Sequence, residues 1–200
     1  MAQATPNKVG VIGIGIMGTA ISTRLLECKQ DVTVFDLDPN KVQAMVALGA
    51  TAASSPQAVA AVADYVILSL NNAAIVESAV FGPNGVAETA SADKLLIDMS
   101  SIDPESTKAL ATRLRDEYQM AWIDCPLSGG APGALSGKLA VMAGGLKEDF
   151  ERSKAVMDHL CANFTLMGPS GAGQTTKLVN QVLCAVGFQV IAEATQLALK

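Results

Sequence analysis

The chain has 200 residues, which suits one large domain or one domain plus part of another. Half of the residues are hydrophobic and 16% are charged, which excludes an intrinsically disordered chain. The net charge of −5 excludes an extended basic surface for nucleic acid. No apolar run approaches the length of a membrane span, and residues 1–8 lack the apolar stretch of a signal peptide. We therefore expect a cytoplasmic protein without a membrane partner.

Four cysteines are scattered along the chain: Cys28, Cys125, Cys161 and Cys184. Their spacing matches neither a metal site nor a redox motif. We expect each of them to be a small buried hydrophobic side chain in a reducing compartment, and we expect no metal.

Short β-rich runs alternate with longer helical stretches, which indicates an α/β fold with helices on both faces of a mostly parallel sheet. Asp38-Pro39 and Asp103-Pro104 each open a predicted helix, with an N-cap acid and proline at the first position. A later helix carries Phe150, Val156, Met157 and Leu160 at helical spacing. We predict seven or eight strands, including residues 8–13, 31–35, 64–70, 94–98, 120–124, 139–143 and 164–167.

The pattern changes after Gly173. Residues 174–200 contain no proline and one glycine, Gly187, which predicts a helix about 40 Å long. This helix is apolar on most sides, so we expect either further chain or a partner chain to bury it. We accordingly expect a dinucleotide-binding domain over 1–168 and the start of a second, helical unit over 169–200.

A glycine-rich turn, Gly-Ile-Gly-Ile-Met-Gly at residues 13–18, joins the first strand to the first helix. Glycines at these positions allow a tight turn, approach of a pyrophosphate and close packing of the helix on the sheet. Asp36 follows the second strand, where a carboxylate can accept both ribose hydroxyls of an adenosine; its alternative role is a helix cap. This predicts a Rossmann-type, doubly wound fold that binds NAD rather than NADP. Lys41 is the residue that could alter that preference.

Reduction of a carbonyl requires a group that protonates the developing alkoxide. His159 precedes the last strand, away from the strands' carboxyl ends, and neither Tyr65 nor Tyr118 is followed four residues later by lysine. Lys177 lies in the first turns of the long apolar helix, where a buried ammonium needs a partner. Lys177 is therefore the candidate acid; its alternative role is a surface lysine.

The segment Ser128-Gly129-Gly130 follows the strand that ends near Asp124. Successive backbone N–H groups and a hydroxyl can together bind an anion such as a substrate carboxylate. The alternative is an ordinary glycine turn.

The chain resembles the 3-hydroxyacid dehydrogenase family, which includes 3-hydroxyisobutyrate dehydrogenase and tartronate-semialdehyde reductase. The resemblance extends over the whole chain, and four motifs occur in the family's order. They are GxGxMG at 13–18, DxS[ST] within 97–101, DxPxSGG at 124–130 and GxxGxGxxxKxxN at 168–180. The run 176–181 is most similar to the tartronate-semialdehyde reductase branch.

The resemblance implies that Lys177 is the general acid in reduction and the base in oxidation, and that Asn180 orients substrate and lysine. It implies that Ser128, Gly129 and Gly130 hold the substrate carboxylate, and that Ser101 and the backbone near Leu70 flank the nicotinamide. Together with the glycine turn and the acid, the predicted cofactor-binding residues are Gly13, Gly15, Ile16, Met17, Gly18, Asp36, Leu70 and Ser101.

The resemblance also implies an all-helical domain after the long helix, which would make a homodimer or tetramer. Asn71 departs from the family pattern, which usually has proline there, so the nicotinamide wall is expected to differ. Two other functions stay open: a non-catalytic NAD-binding or scaffolding member of the family, and an imine reductase. Both are disfavoured because Lys177 is present.

Overall fold

The computed structural model describes residues 6–199. Helices and strands mostly alternate along the chain, as the sequence predicts. The strands are β1 Lys8–Ile12, β2 Asp31–Phe35, β3 Thr51–Ala52, β4 Tyr65–Leu68, β5 Leu95–Asp98, β6 Ala121–Asp124, β7 Leu127–Ser128, β8 Leu139–Gly144 and β9 Cys161–Gly168. The α-helices are α1 Ile16–Glu27, α2 Pro39–Ala47, α3 Pro56–Val62, α4 Ala73–Phe81, α5 Pro104–Tyr118, α6 Gly130–Leu135, α7 Lys147–Met157 and α8 Ala172–Ala198.

The strands form one sheet in the order β3-β2-β1-β4-β5-β6-β8-β7, and β9 pairs with β8. The first six strands in this order are parallel, and β8 is antiparallel to β6. The chain moves outward from β1 to β3 and then returns to the other side of β1. The carboxyl ends of β1 and β4 consequently bound a crevice at the point where the strand order reverses. The predicted α/β, doubly wound, mostly parallel fold is confirmed.

Successive residues in the central strands point to opposite faces of the sheet. Ile67 and Ile97 belong to the core beneath α1 and α7, whereas Leu68 and Leu96 belong to the core beneath α3, α4 and α5. Burial on both faces explains why these strands are continuously apolar in the sequence. The largest fully buried side chain is Trp122 of β6.

Two predicted helix starts are confirmed in atomic detail. Asp38 accepts a hydrogen bond from the backbone N–H of Asn40 (2.9 Å), and Asp103 accepts one from Ser106 (2.8 Å). Each acid precedes a proline at the first helical position, where the missing N–H costs no helical hydrogen bond.

The structure corrects three predictions made from the sequence. Within residues 6–199 the sheet has nine strands rather than seven or eight, because β3 and β7 contain two residues each, too few to leave a pattern. Leu160, predicted to belong to the helix that carries Phe150, lies instead in the turn after α7, where it is buried. The expectation that all cysteines are buried is wrong for Cys184, which is exposed on α8, and only partly right for Cys28 and Cys161, which are half-buried.

Helix α8 begins two residues earlier than predicted and is exposed over most of its length; Lys200 lies outside the described residues. Only Gly173 and Gln174 of this helix are buried. Between residues 6 and 199, α8 is one helix whose length and composition would allow it to cross a membrane, with a mean hydropathy of 1.4. The expectation that no apolar run approaches that length is therefore wrong for α8, since charged residues are sparse there and proline is absent.

A protein consisting of residues 1–200 should self-associate, because α8 presents a large apolar surface to water. Five of its large apolar side chains are 50–69% exposed: Leu178, Val182, Leu183, Val186 and Ile191. Sedimentation velocity at two protein concentrations measures this, with the double variant Leu183→Glu, Val186→Glu as the control that stays monomeric. A stable wild-type monomer that retains the helical content of α8 would contradict the expectation.

Candidate cofactor and substrate site

The turn between β1 and α1 needs glycine at two positions. Gly13 has φ +95°, and a Cβ there would lie 2.4 Å from the carbonyl oxygen of Ser69. A Cβ on Gly18 would lie 1.8 Å from the carbonyl oxygen of Gly13. The helix start can therefore pack directly against the ends of β1 and β4 only when both side chains are absent.

The first turn of α1 has the features of an anion-binding site. Gly15 is its N-cap, without a side-chain hydrogen bond, and no acidic residue occurs in the first turn. A Cβ on Gly15 would meet nothing within 4 Å, and Ile16 is 82% exposed, so the backbone here faces open space. Met17 is half-buried behind it. Free N–H groups at the positive end of a helix dipole suit the pyrophosphate of a dinucleotide.

Asp36, just after β2, is half-buried and ties this turn to the second strand. Its Oδ2 accepts from the backbone N–H of Ile14 (2.7 Å), and its Oδ1 accepts from the N–H of Asp38 (2.9 Å). Lys41 Nζ lies 3.7 Å from Oδ1. A carboxylate offers about four acceptor positions, so Asp36 retains capacity for ribose hydroxyls beside these bonds.

A cleft of about 480 Å³ runs along the carboxyl ends of β1, β2 and β4. Its lining includes Gly13, Gly15, Asp36, Lys41, Leu70 and Asn71. The glycine turn, the uncapped helix start, the carboxylate and the cleft occur together, and this set fits a nicotinamide dinucleotide.

Ser100 joins the wall of the cleft to α8. Its Oγ accepts a hydrogen bond from the backbone N–H of Leu70 (3.0 Å). Its carbonyl oxygen accepts one from Gln174 Nε2 (2.8 Å), and its N–H donates to Asp98 Oδ1 (3.0 Å). The neighbouring Ser101, the predicted nicotinamide contact, is exposed.

Lys177 lies beside the predicted substrate loop. Its half-buried Nζ donates a hydrogen bond to the carbonyl oxygen of Leu127 (2.7 Å), the residue before Ser128. Gly129 and Gly130 are exposed and adopt positive φ of 120° and 59°. Asn180 follows one turn later on α8 and is half-buried. The structure thus brings together two motifs that are about 50 residues apart in the sequence.

The other titratable candidates lie elsewhere. His159 is half-buried in the turn before β9, where its carbonyl oxygen accepts from Arg24 Nε (3.1 Å). Tyr65 begins β4 at its amino end, and Tyr118 ends α5. All three are therefore away from the carboxyl edge that carries the cleft.

Asp98 and Asp124, together with Ser100 and Gln174, were missed as site residues by reasoning from the sequence. Burial raises the pKa of Asp98 to about 7, against the effect of hydrogen bonds from Ser100 and with a smaller contribution from the charge of Asp124. Burial also raises the pKa of Asp124 to about 6, although backbone N–H groups of α8 oppose the shift. The available signal was an aspartate at the end of two successive apolar strands.

The fold and the cleft define a doubly wound dinucleotide-binding domain with a nicotinamide cofactor site. A family model, the NAD-binding domain of 6-phosphogluconate dehydrogenase, matches residues 8–168. The chain belongs to this family.

Similar proteins support the same class. The chain is 38% identical to a 2-(hydroxymethyl)glutarate dehydrogenase of Eubacterium barkeri and 35% identical to a 2-hydroxy-3-oxopropionate reductase of Escherichia coli, in each case over 96% of the chain. It spans 64% and 65% of the lengths of these relatives. The resemblance to 3-hydroxyacid dehydrogenases is therefore confirmed at the level of homology.

Solved structures agree. A Mycobacterium tuberculosis 3-hydroxyisobutyrate dehydrogenase is 29% identical, with a TM-score of 0.88, over 95% of this chain and 64% of that one. A Streptomyces aurantiacus imine reductase has the same fold (TM-score 0.86, over 93% of this chain and 64% of that one), but its 24% identity shows the fold alone.

Proposed function

We propose that the protein transfers a hydride between NAD and a small 3-hydroxy acid. One observation carries this proposal. Lys177 Nζ lies 2.7 Å from the carbonyl oxygen of Leu127, so the amine is held beside the Ser128 loop at the edge that also carries the cofactor cleft. A proton donor, an anion-binding loop and a nicotinamide site at one edge suit the reduction of a carbonyl one carbon removed from a carboxylate.

The names of the relatives support a common substrate class. 2-(Hydroxymethyl)glutarate, 2-hydroxy-3-oxopropionate and 3-hydroxyisobutyrate each have a carboxylate and, on a carbon β to it, a hydroxyl or oxo group. A site that fixes the carboxylate and acts on this β-carbon would accept the class, and the other groups on the α-carbon would distinguish its members.

In this proposal, different residues orient the substrate and transfer the proton. The nicotinamide supplies or accepts the hydride when it is bound. We propose that Ser128, Gly129 and Gly130 hold the substrate carboxylate and that Asn180 orients the reacting oxygen. Lys177 gives a proton to that oxygen during reduction, and its positive charge stabilises the developing alkoxide.

Asp36 supports NAD as the preferred cofactor, since its carboxylate would repel a 2′-phosphate. Asp36→Ala should lower kcat/KM with NADH about 10-fold or more, because charge-assisted hydrogen bonds contribute about 1.5–3 kcal/mol. The ratio of kcat/KM with NADPH to kcat/KM with NADH should therefore rise. Steady-state kinetics with both cofactors measure this change. Lys41→Ala is the matched control and should lower activity with NADPH while changing that with NADH little. A wild-type enzyme that prefers NADPH at saturating substrate would contradict the assignment.

Oxidation of NADH with a panel of substrates tests the reaction class. The panel contains short 3-oxo acids, the corresponding oxo compounds without a carboxylate, and cyclic imines. The proposal predicts turnover of the 3-oxo acids alone. Turnover confined to imines would establish the imine reductase, and NADH binding without turnover of any compound would establish the non-catalytic alternative.

We further propose that residues 1–168 form the NAD-binding domain and that 169–200 form the catalytic segment and the first helix of a helical domain. The family match over residues 8–168 and the exposure of α8 support this division. We also propose that the protein forms homodimers or tetramers through such a domain and that it is located in the cytoplasm.

A further inference from the structure

Asp124 is buried at the end of β6 and contacts the start of α8. Its Oδ1 accepts from the backbone N–H of Gly171 (2.8 Å), and its Oδ2 accepts from that of Gln174 (3.0 Å). The two donors lie on either side of the first residues of the helix, so one carboxylate fixes both the position and the direction of its first turn. It also satisfies N–H groups that have no partner within the helix.

Two glycines enclose this carboxylate. A Cβ on Gly144 of β8 would lie 2.6 Å from Asp124 Oδ1. A Cβ on Gly173 of α8 would lie 2.7 Å from Oδ2 and 2.3 Å from the carbonyl oxygen of Met142. Strand β8, strand β6 and helix α8 thus approach so closely that only hydrogen atoms fit at both positions.

The neighbouring carboxyl group indicates which of the two acids carries the charge. Asp98 is the register partner of Asp124 on β5, and no partner within residues 6–199 reaches its buried Oδ2. Like charges on adjacent buried acids repel, so ionisation favours the group with more donors. Asp124 has two N–H donors at the positive end of a 27-residue helix. It therefore ionises first, because these donors stabilise its charged form, whereas burial raises the pKa of Asp98 with fewer donors to oppose the shift.

We propose that Asp124 is a positioning residue for Lys177: it fixes the first turn of α8 and thereby sets the place of the lysine Nζ beside the Ser128 loop. This inference rests on the proposed function of Lys177. Gln174 connects Asp124 to the part of α8 that carries Lys177. Its backbone N–H binds Asp124, its side chain binds the carbonyl of Ser100, and Lys177 follows it by three residues. A shift of about 1 Å at a reacting group can cost about 10²-fold in rate.

Asp124→Asn in the full-length protein tests the proposal. Asparagine keeps the size of the side chain, but its amide NH₂ would face an N–H donor, so only one of the two bonds can form. We expect kcat to fall about 10- to 100-fold, while the Kd of NADH changes less than about twofold. We also expect faster hydrogen–deuterium exchange in the peptide that contains Gly171 and Gln174.

Asp149→Asn is the matched control. Asp149 is also a buried acid, and it pairs with Arg115 (2.7 Å) on a surface remote from the cleft. This variant should keep wild-type kcat and wild-type exchange at the start of α8. The same loss of kcat in both variants would mean that Asp124 acts through general stability, which overturns the proposal.

The proposal requires Asp124→Asn both to lower kcat and to speed hydrogen–deuterium exchange at the start of α8. A normal kcat or a normal exchange rate in this variant therefore overturns it. Should that variant fail to fold, Gly144→Ala replaces it, because the added methyl group displaces the same carboxylate and must give the same two changes. Lys177→Ala separates this proposal from the proposed function. Normal turnover in Lys177→Ala shows that the role of Lys177 is wrong, whereas failure of the positioning role appears in Asp124→Asn alone.

Discussion

Lys177→Ala should lower kcat at least about 10²-fold, because it removes a proton donor and a fixed positive charge together. The affinity for NADH should change little, since the proposed cofactor contacts lie at the glycine turn and Asp36, whereas Lys177 Nζ contacts the carbonyl of Leu127. Steady-state turnover of a 3-oxo acid and fluorescence titration with NADH measure the two quantities. Both use the full-length protein.

Two further variants sharpen this prediction. Lys177→Arg should also lower kcat, because a guanidinium stays protonated and so neither gives up a proton in reduction nor accepts one in alcohol oxidation. Lys138→Ala, at an exposed lysine before β8, is the control and should retain wild-type turnover. Near-normal turnover in Lys177→Ala with intact NADH binding would show that the proton comes from another group.

Asp98→Asn should remove much of the pH dependence of stability between pH 5 and 8. The folded-state pKa of Asp98 is raised from its ordinary 3.8 to about 7, mainly by burial. A raised pKa means that the folded protein binds more protons than the unfolded chain between these values, so stability is full at low pH and is lost as pH rises through about 7. The loss for this carboxyl group is roughly 4 kcal/mol at most. Asp124, with a pKa of about 6, adds a loss of the same sign.

Urea denaturation at pH 5, 6, 7 and 8 measures the free energy of unfolding of wild type and variant. We expect the wild type to lose stability as pH rises and Asp98→Asn to lose less, because the asparagine amide does not ionise. Asp64→Asn, which replaces an exposed acid before β4, should show the same change of unfolding free energy with pH as the wild type. Parallel curves for wild type and Asp98→Asn would show that this carboxyl group is not held neutral by the fold.

The local features of the fold could be predicted because nearby residues determine them. Asp38 and Asp103 cap their helices as predicted, since an acid before proline needs only the next few N–H groups. Gly13 and Gly18 follow from the geometry of one turn. The approach of Lys177 to the loop at Ser128 agrees with the resemblance, which implies that both take part in one substrate site.

The remaining features depend on distant parts of the chain. The hydrogen bonds from the start of α8 to Asp124 join residues 47 and 50 positions apart, and they depend on the close approach that Gly144 allows. A pattern of apolar residues marks Asp98 only as the end of a strand; its raised pKa arises from burial between packed elements. Strands β3 and β7 are set by the sheet edges on which they pair rather than by their own residues.

Isotope transfer from the cofactor to the product tests the proposed hydride transfer to a short 3-oxo acid. Full-length protein is incubated with a short 3-oxo acid and NADH that carries deuterium at both C4 positions, and the product is analysed by mass spectrometry and NMR. We expect one deuterium on the hydroxyl-bearing C3, with the rate reduced at least about 10²-fold in Lys177→Ala. Product without deuterium at C3, or no product from any 3-oxo acid while NADH remains bound, would contradict it.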